Sequence, residues 1–134
     1  MTKKEKAISL HDRGFNCAQS VACAFAEEIG VPEEVLFAAC EGLGLGMGAA
    51  NATCGAVSGA VVLAGFKNSC ADPSQPRTKA ATYKLAGAIT EEFAQMNGSL
   101  VCRELKGLDT GKVLRSCPDC IMDAVEIAEK ILGL

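Results

Sequence analysis

The stretch Glu41–Gly65, EGLGLGMGAANATCGAVSGAVVLAG, restricts the fold of this chain more than any other. It opens with glycines at alternate positions, Gly42, Gly44, Gly46 and Gly48. Neither a stable helix nor a well-packed strand tolerates so permissive a backbone, so a loop is expected. Asn51 and Thr53, both able to cap a helix, then precede Ala56, Val57, Ala60, Val61 and Ala64, whose spacing predicts a buried helix. Cys54 thereby falls at or within one residue of a helix start, where the positive end of the helix dipole favours the thiolate. Gly55 and Gly59 lie four residues apart and form a notch against which a neighbouring backbone or the site itself is expected to press.

Helical signals continue on both sides of this stretch. Ala7, Ile8 and Leu10 among charges predict a short first helix over Lys3–Asp12, ended by Gly14. Asn16 can cap a second helix from Cys17 to about Ile29, stopped by Gly30 and Pro32. Pro32-Glu33-Glu34 opens a third to about Cys40, and the central helix is expected to end near Phe66. NSCADPSQP, containing Cys70, reads as the longest surface connection. A long helix from Arg77 to Met96 should then turn Ala80, Tyr83, Leu85, Ala88, Ile89 and Phe93 toward the core. Ser99 caps a short helix carrying Cys102, and Leu108–Arg115 is a loop. Pro118 suits the first position of the last helix, with Cys117 as its cap and Ala124, Val125, Ile127, Ala128, Ile131 and Leu132 on its apolar face.

No alternating strand pattern and no internal repeat interrupts this succession. With aromatics at 4% and no Trp, the core must be built from Ala, Val, Leu and Ile, which suits closely packed helices. The expectation is an all-α single compact domain of about six or seven helices over residues 1–134. A net charge of -3 and a pI near 5.2, with no basic cluster, give no reason to expect nucleic acid or an anionic membrane as partner. The charged N-terminus lacks an apolar signal region and no segment is apolar for as long as a membrane span, so a cytoplasmic location is expected.

In a reducing compartment the eight cysteines are not expected to form a disulfide framework. Cys17, Cys54, Cys102 and Cys117 each fall in the first turn of a predicted helix, on four different helices. Four thiolates converging there would make a ligand set for zinc or for an iron-sulfur cluster; buried free cysteines acting as small hydrophobes are the plainer alternative. Spacing argues against a zinc ribbon, which pairs its ligands closely twice over, because only Cys117-Pro118-Asp119-Cys120 is close. That C-x-x-C could be a redox pair of Cys117 and Cys120, although such pairs usually sit beside a sheet and this chain offers no strands. Cys23 and Cys40 read as core, Cys70 as a surface thiol, and His11 as a solvated residue of a charged helix. Gly44-Leu-Gly46-Met-Gly48-Ala49 loosely fits a dinucleotide fingerprint but lacks the preceding strand and the acidic residue downstream.

GFNCAQSV around Cys17, CGAVSG from Cys54 to Gly59, NGSLVCREL around Cys102 and CPDCIMDAVEI around Cys117 together resemble the C_GCAxxG_C_C family of redox-active proteins, over nearly the whole chain. The resemblance implies that Cys17, Cys54, Cys102 and Cys117 are the four signature cysteines and that they hold an iron-sulfur centre or act in electron transfer with a redox protein partner. A homodimer is left open. The alternatives are a thiol-disulfide oxidoreductase using Cys117 and Cys120 or a pair among the signature cysteines, and a structural zinc domain. Cys23, Cys40, Cys70 and Cys120 are additions to the family pattern, and Cys120 competes with the signature set for the place of fourth ligand.

Overall fold

Three of the helices begin at a side chain that satisfies their first amides. The computed structural model describes residues 1–134 and contains eight α-helices: α1 Lys3–Asp12, α2 Cys17–Cys23, α3 Ala26–Ile29, α4 Glu33–Cys40, α5 Gly55–Asn68, α6 Lys79–Asn97, α7 Cys102–Lys106 and α8 Cys117–Leu132. Thr2 and Asn16 close capping boxes with Glu5 and Gln19 at the starts of α1 and α2, and Ser116 caps α8. There is no strand, only an isolated antiparallel bridge between Thr53 and Val101. The all-α, single-domain expectation holds.

α5 is the central element, and Ala56, Val57, Ala60, Leu63 and Ala64 on it are fully buried. Around it pack α2 through Ala18, Val21 and Ala22, α6 through Ile89 and Phe93, and α8 through Ile121, Ala124, Val125, Ile127 and Ala128. Small faces let the first pair come very close. A Cβ placed on Gly59 would stand 2.6 Å from the Ala18 carbonyl oxygen, so the α5 and α2 backbones meet with nothing between them. Against a Gly55 Cβ the Leu43 oxygen would lie at 3.1 Å and the Ala18 nitrogen at 3.3 Å.

Three expectations need correction. The second helix does not run on to Ile29: it stops at Cys23, turns tightly with the Phe25 amide on the Ala22 carbonyl, and resumes as α3. That turn buries Phe25 completely, which a straight helix surface would not need to do. On α6 only Ile89 and Phe93 are buried, Leu85 is half-buried against the core and Tyr83 is 67% exposed, because the neighbouring helices do not cover the first turns of this 19-residue helix. Finally, α8 begins one residue early. Ser116 is the cap, Cys117 the first helical residue and Pro118 the second.

The glycine stretch is a loop of unusual form. A tight 3-10 turn over Glu41–Leu43 leads into a wide turn over Gly46–Ala50, with left-handed φ angles at Leu45, Gly46, Met47, Gly48 and Ala50. Glycine takes this region freely, whereas Leu45, Met47 and Ala50 do so at a cost of roughly 1–2 kcal/mol each.

Candidate functional site

Local structure brings five cysteines to one place. The Asn16 amide NH2 donates to the Glu41 carbonyl at 2.9 Å, fixing the start of α2, and with it Cys17, to the end of α4. Gly44 packs on the same asparagine, so closely that a Cβ would meet its Cγ at 2.6 Å. At the Thr53–Val101 bridge, the Cys54 amide donates to the Leu100 carbonyl at 2.7 Å and the Cys102 amide to the Ala52 carbonyl at 2.9 Å. These two bonds set the starts of α5 and α7 side by side. Gly46 lies against Cys102, where a Cβ on the glycine would stand 2.6 Å from the cysteine Cβ, so only glycine fits there. Beyond α7 the chain folds back, and the Leu114 and Arg115 amides both donate to the Leu105 carbonyl. The return delivers Ser116, whose hydroxyl accepts from the Asp119 amide at 3.3 Å, and so places Cys117 at the start of α8 and Cys120 one turn further on.

Cys17, Cys54, Cys102, Cys117 and Cys120 line a single cavity of about 170 Å³. Its remaining wall is made by His11, Asn16, Leu45, Gly55, Leu105, Lys106 and Arg115. Cys54, Cys102 and Cys120 are 6%, 7% and 2% exposed, whereas Cys17 and Cys117 are half-buried, so the latter two mark the mouth. All eight thiols are free. Cys23 and Cys40 are buried in the core, and Cys70 sits in the loop before α6, where its sulfur accepts from the Thr78 hydroxyl at 3.6 Å.

The thiols of the cavity interact in twos. The neighbouring Cys17 thiol pulls Cys117 down to about 5 against the opposing effect of burial, with the Lys106 ammonium and His11 pulling the same way. Cys117 in turn, together with burial, pushes Cys17 up. Deeper in, the neighbouring Cys120 brings Cys54 to about 7 despite burial, and the amides of Ala56 and Val57, at the start of α5, add to the effect although no side-chain cap bond forms. Cys120, whose thiol donates to the Arg115 carbonyl at 3.9 Å, is pushed up by its neighbour Cys54 and by burial, and Cys102 by burial and then by the charge on Cys54. No group of three or more His, Cys, Asp or Glu side chains is arranged to hold a single metal ion.

The four cysteines singled out in the sequence, with Cys120, therefore share one cavity, while Gly55 and Gly59 press on backbone beside it. Within that cavity the strongest influence on Cys117 comes from Cys17 and the strongest on Cys120 from Cys54, not from the other member of the C-x-x-C. His11, expected to be solvated, lines the cavity instead, with Nδ1 3.0 Å from the Phe15 carbonyl. Lys106 and Arg115 were not anticipated. For Lys106 a signal existed, since it follows Cys102 by four residues and a helix turns both to one side. No curated protein and no solved structure matches the chain. Residues 15–131, which include every cysteine of the cavity, match the family described as "Putative redox-active protein (C_GCAxxG_C_C)", and the chain belongs to that family.

Proposed function

We propose that this protein transfers electrons through an iron-sulfur cluster held in the cavity by Cys17, Cys54, Cys102 and Cys117. The observation that carries the reading is the convergence of these cysteines, from four different helices, on one cavity. The donor set fits the group, because soft thiolates are the ligands such clusters take. Zinc would take the same thiolates as four ligands around one point, whereas a cluster spreads them over more than one iron. When bound it would supply reversible one-electron chemistry.

The chain's own residues do the rest. The amides at the start of α5 and the Lys106 ammonium favour thiolates. Leu45 and the glycines packed on Asn16 and Cys102 close off part of the cavity. The half-buried Cys17 and Cys117 leave a side on which a redox protein partner can approach. Eight free thiols suit a reducing compartment such as the cytoplasm. No helix is long and apolar enough to cross a membrane.

Anaerobic purification followed by a visible absorption spectrum and analysis for iron, sulfide and zinc tests the reading. Wild type should carry iron and sulfide with visible absorption, and Cys54→Ser should lose most of both. Equal iron in the two would sink it.

One observation favours a second reading, thiol-disulfide exchange: five free thiols share one cavity, so that a thiolate there has further thiols beside it. That is the arrangement of a nucleophilic thiolate beside a resolving thiol. Cys120→Ser separates the two readings. It should keep the spectrum if the four signature cysteines hold a cluster. If Cys54 exchanges disulfides with a substrate, it should instead trap a mixed disulfide, because Cys54 would lose its resolving partner.

A further inference from the structure

Lys106 lines the cavity from the last position of α7, one helical turn beyond Cys102 and on the same side of the helix. It shares that lining with Cys17, Cys102 and Cys117, and its positive charge favours the thiolate at each of them. The other permanent cation of the cavity is already engaged. Arg115 grips Asp123 through Nε at 2.9 Å and a terminal nitrogen at 3.0 Å, and lies 3.9 Å from Asp119. No carboxylate pairs with Lys106. A half-buried lysine without a counter-charge, directed at a cluster of thiols, is matched only when those thiols, or a group they hold, are negative.

We propose that Lys106 is a positioning residue that sets the reduction potential of the thiolate centre by placing an unpaired positive charge against it. The inference rests on the redox reading of the cavity. Reduction brings one electron from an external donor protein onto the centre and forms no bond, so the reduced state carries one more negative charge than the oxidised state. A cation in the lining of the same cavity favours the reduced state, more strongly in a partly buried site than in water. The same sign applies to a dithiol couple, whose reduced form contains a thiolate in that cavity.

The experiment is an anaerobic redox titration of the iron-loaded protein with mediator dyes, following the visible spectrum, for wild type, Lys106→Gln, Lys106→Arg and Lys112→Gln. Lys112 lies on the loop after α7 and does not line the cavity. Lys106→Gln should favour the oxidised form by about tenfold, a fall of about 59 mV for a one-electron couple. Lys106→Arg should stay near wild type, and Lys112→Gln should not move. Because the titration reads only loaded molecules, a variant that binds less iron still reports its potential. A Lys106→Gln midpoint equal to wild type overturns the inference and leaves the cluster reading standing. Should wild type carry no iron, the cluster reading falls on its own, and the same variants are equilibrated in glutathione buffers with thiol trapping. An unchanged dithiol potential in Lys106→Gln would then overturn the inference as well.

Discussion

At Cys117 the surroundings outweigh the tendency of burial to keep a thiol protonated. The Cys17 thiol, the Lys106 ammonium and His11 hold its sulfur as a thiolate down to about pH 5. In the reduced, metal-free protein, the thiolate is the form that attacks an alkylating agent, so labelling should be fast above that pH and slow as pH falls through it. Mass spectrometry after short pulses of iodoacetamide should place half-maximal labelling of Cys117 near pH 5; a midpoint near the ordinary thiol value of about 8.5 would show that Cys17 and Lys106 do not act on it. Much of this site was legible residue by residue, since a cysteine at a helix start is visible in Asn16-Cys17 or Cys117-Pro118. The causes of the shift were less so. Cys17 and Lys106 act on Cys117 from α2 and α7, and no local pattern reveals which thiol will act on which. His11 was misjudged because its helix carries many charges, while the ring itself faces inward to the cavity.

Among the elements, the contact between α5 and α2 decides how closely the cysteine-bearing helix starts can approach. Gly59 has the Ala18 carbonyl oxygen 2.6 Å from where a Cβ would be, and that neighbour is backbone, which cannot swing aside. Gly59→Ala should therefore destabilise the protein by about 1–3 kcal/mol through overpacking, even though alanine is the better helix former by up to about 1 kcal/mol. Gly87 on α6 is the control, since nothing lies within 4 Å of its Cβ position. There the same substitution should be neutral or stabilising by up to about 1 kcal/mol. Thermal melts of the two variants check this, and a Gly59→Ala protein as stable as wild type would remove the close-packing argument. The two glycines spaced four apart announced such a contact, and Asn16 announced the start of α2, whereas α7 is capped at Val101 and not at Ser99. Tyr83 was misplaced because periodicity marks an apolar face without saying how far the partners extend along it. The Thr53–Val101 bridge, which aligns Cys54 with Cys102, is a single pairing too short to leave an alternating pattern.

Taken as one body, the molecule has a continuous core of fully buried side chains on α2, α4, α5, α6 and α8, such as Val21, Leu36, Leu63, Phe93 and Ile121, which takes in Cys54 and Cys120 of the cavity as well. The cavity lies at the edge of that core, where the starts of α2, α5, α7 and α8 meet. α7 is the weakest of these, with five residues of which only Cys102 and Leu105 are buried. The protein emptied by chelation under reducing conditions should therefore stay folded and helical by circular dichroism. A centre that ligates all four helix starts binds the native state alone and should add stability; a ligand present at 100 times its dissociation constant contributes about 2.7 kcal/mol. For a chain of this size the melting temperature should rise by roughly 3–5 °C per kcal/mol on loading. Hydrogen exchange should locate the gain, with the amides of α7 and the first turn of α2 slowing most and those in the middle of α5 changing least. If loading and emptying leave the melting temperature and the α7 amides unchanged, the bound group does not join the helices and the four-cysteine centre is not what the cavity holds. If the emptied protein instead loses its cooperative transition, the core described above is insufficient alone, and the centre is part of the fold rather than an occupant of it.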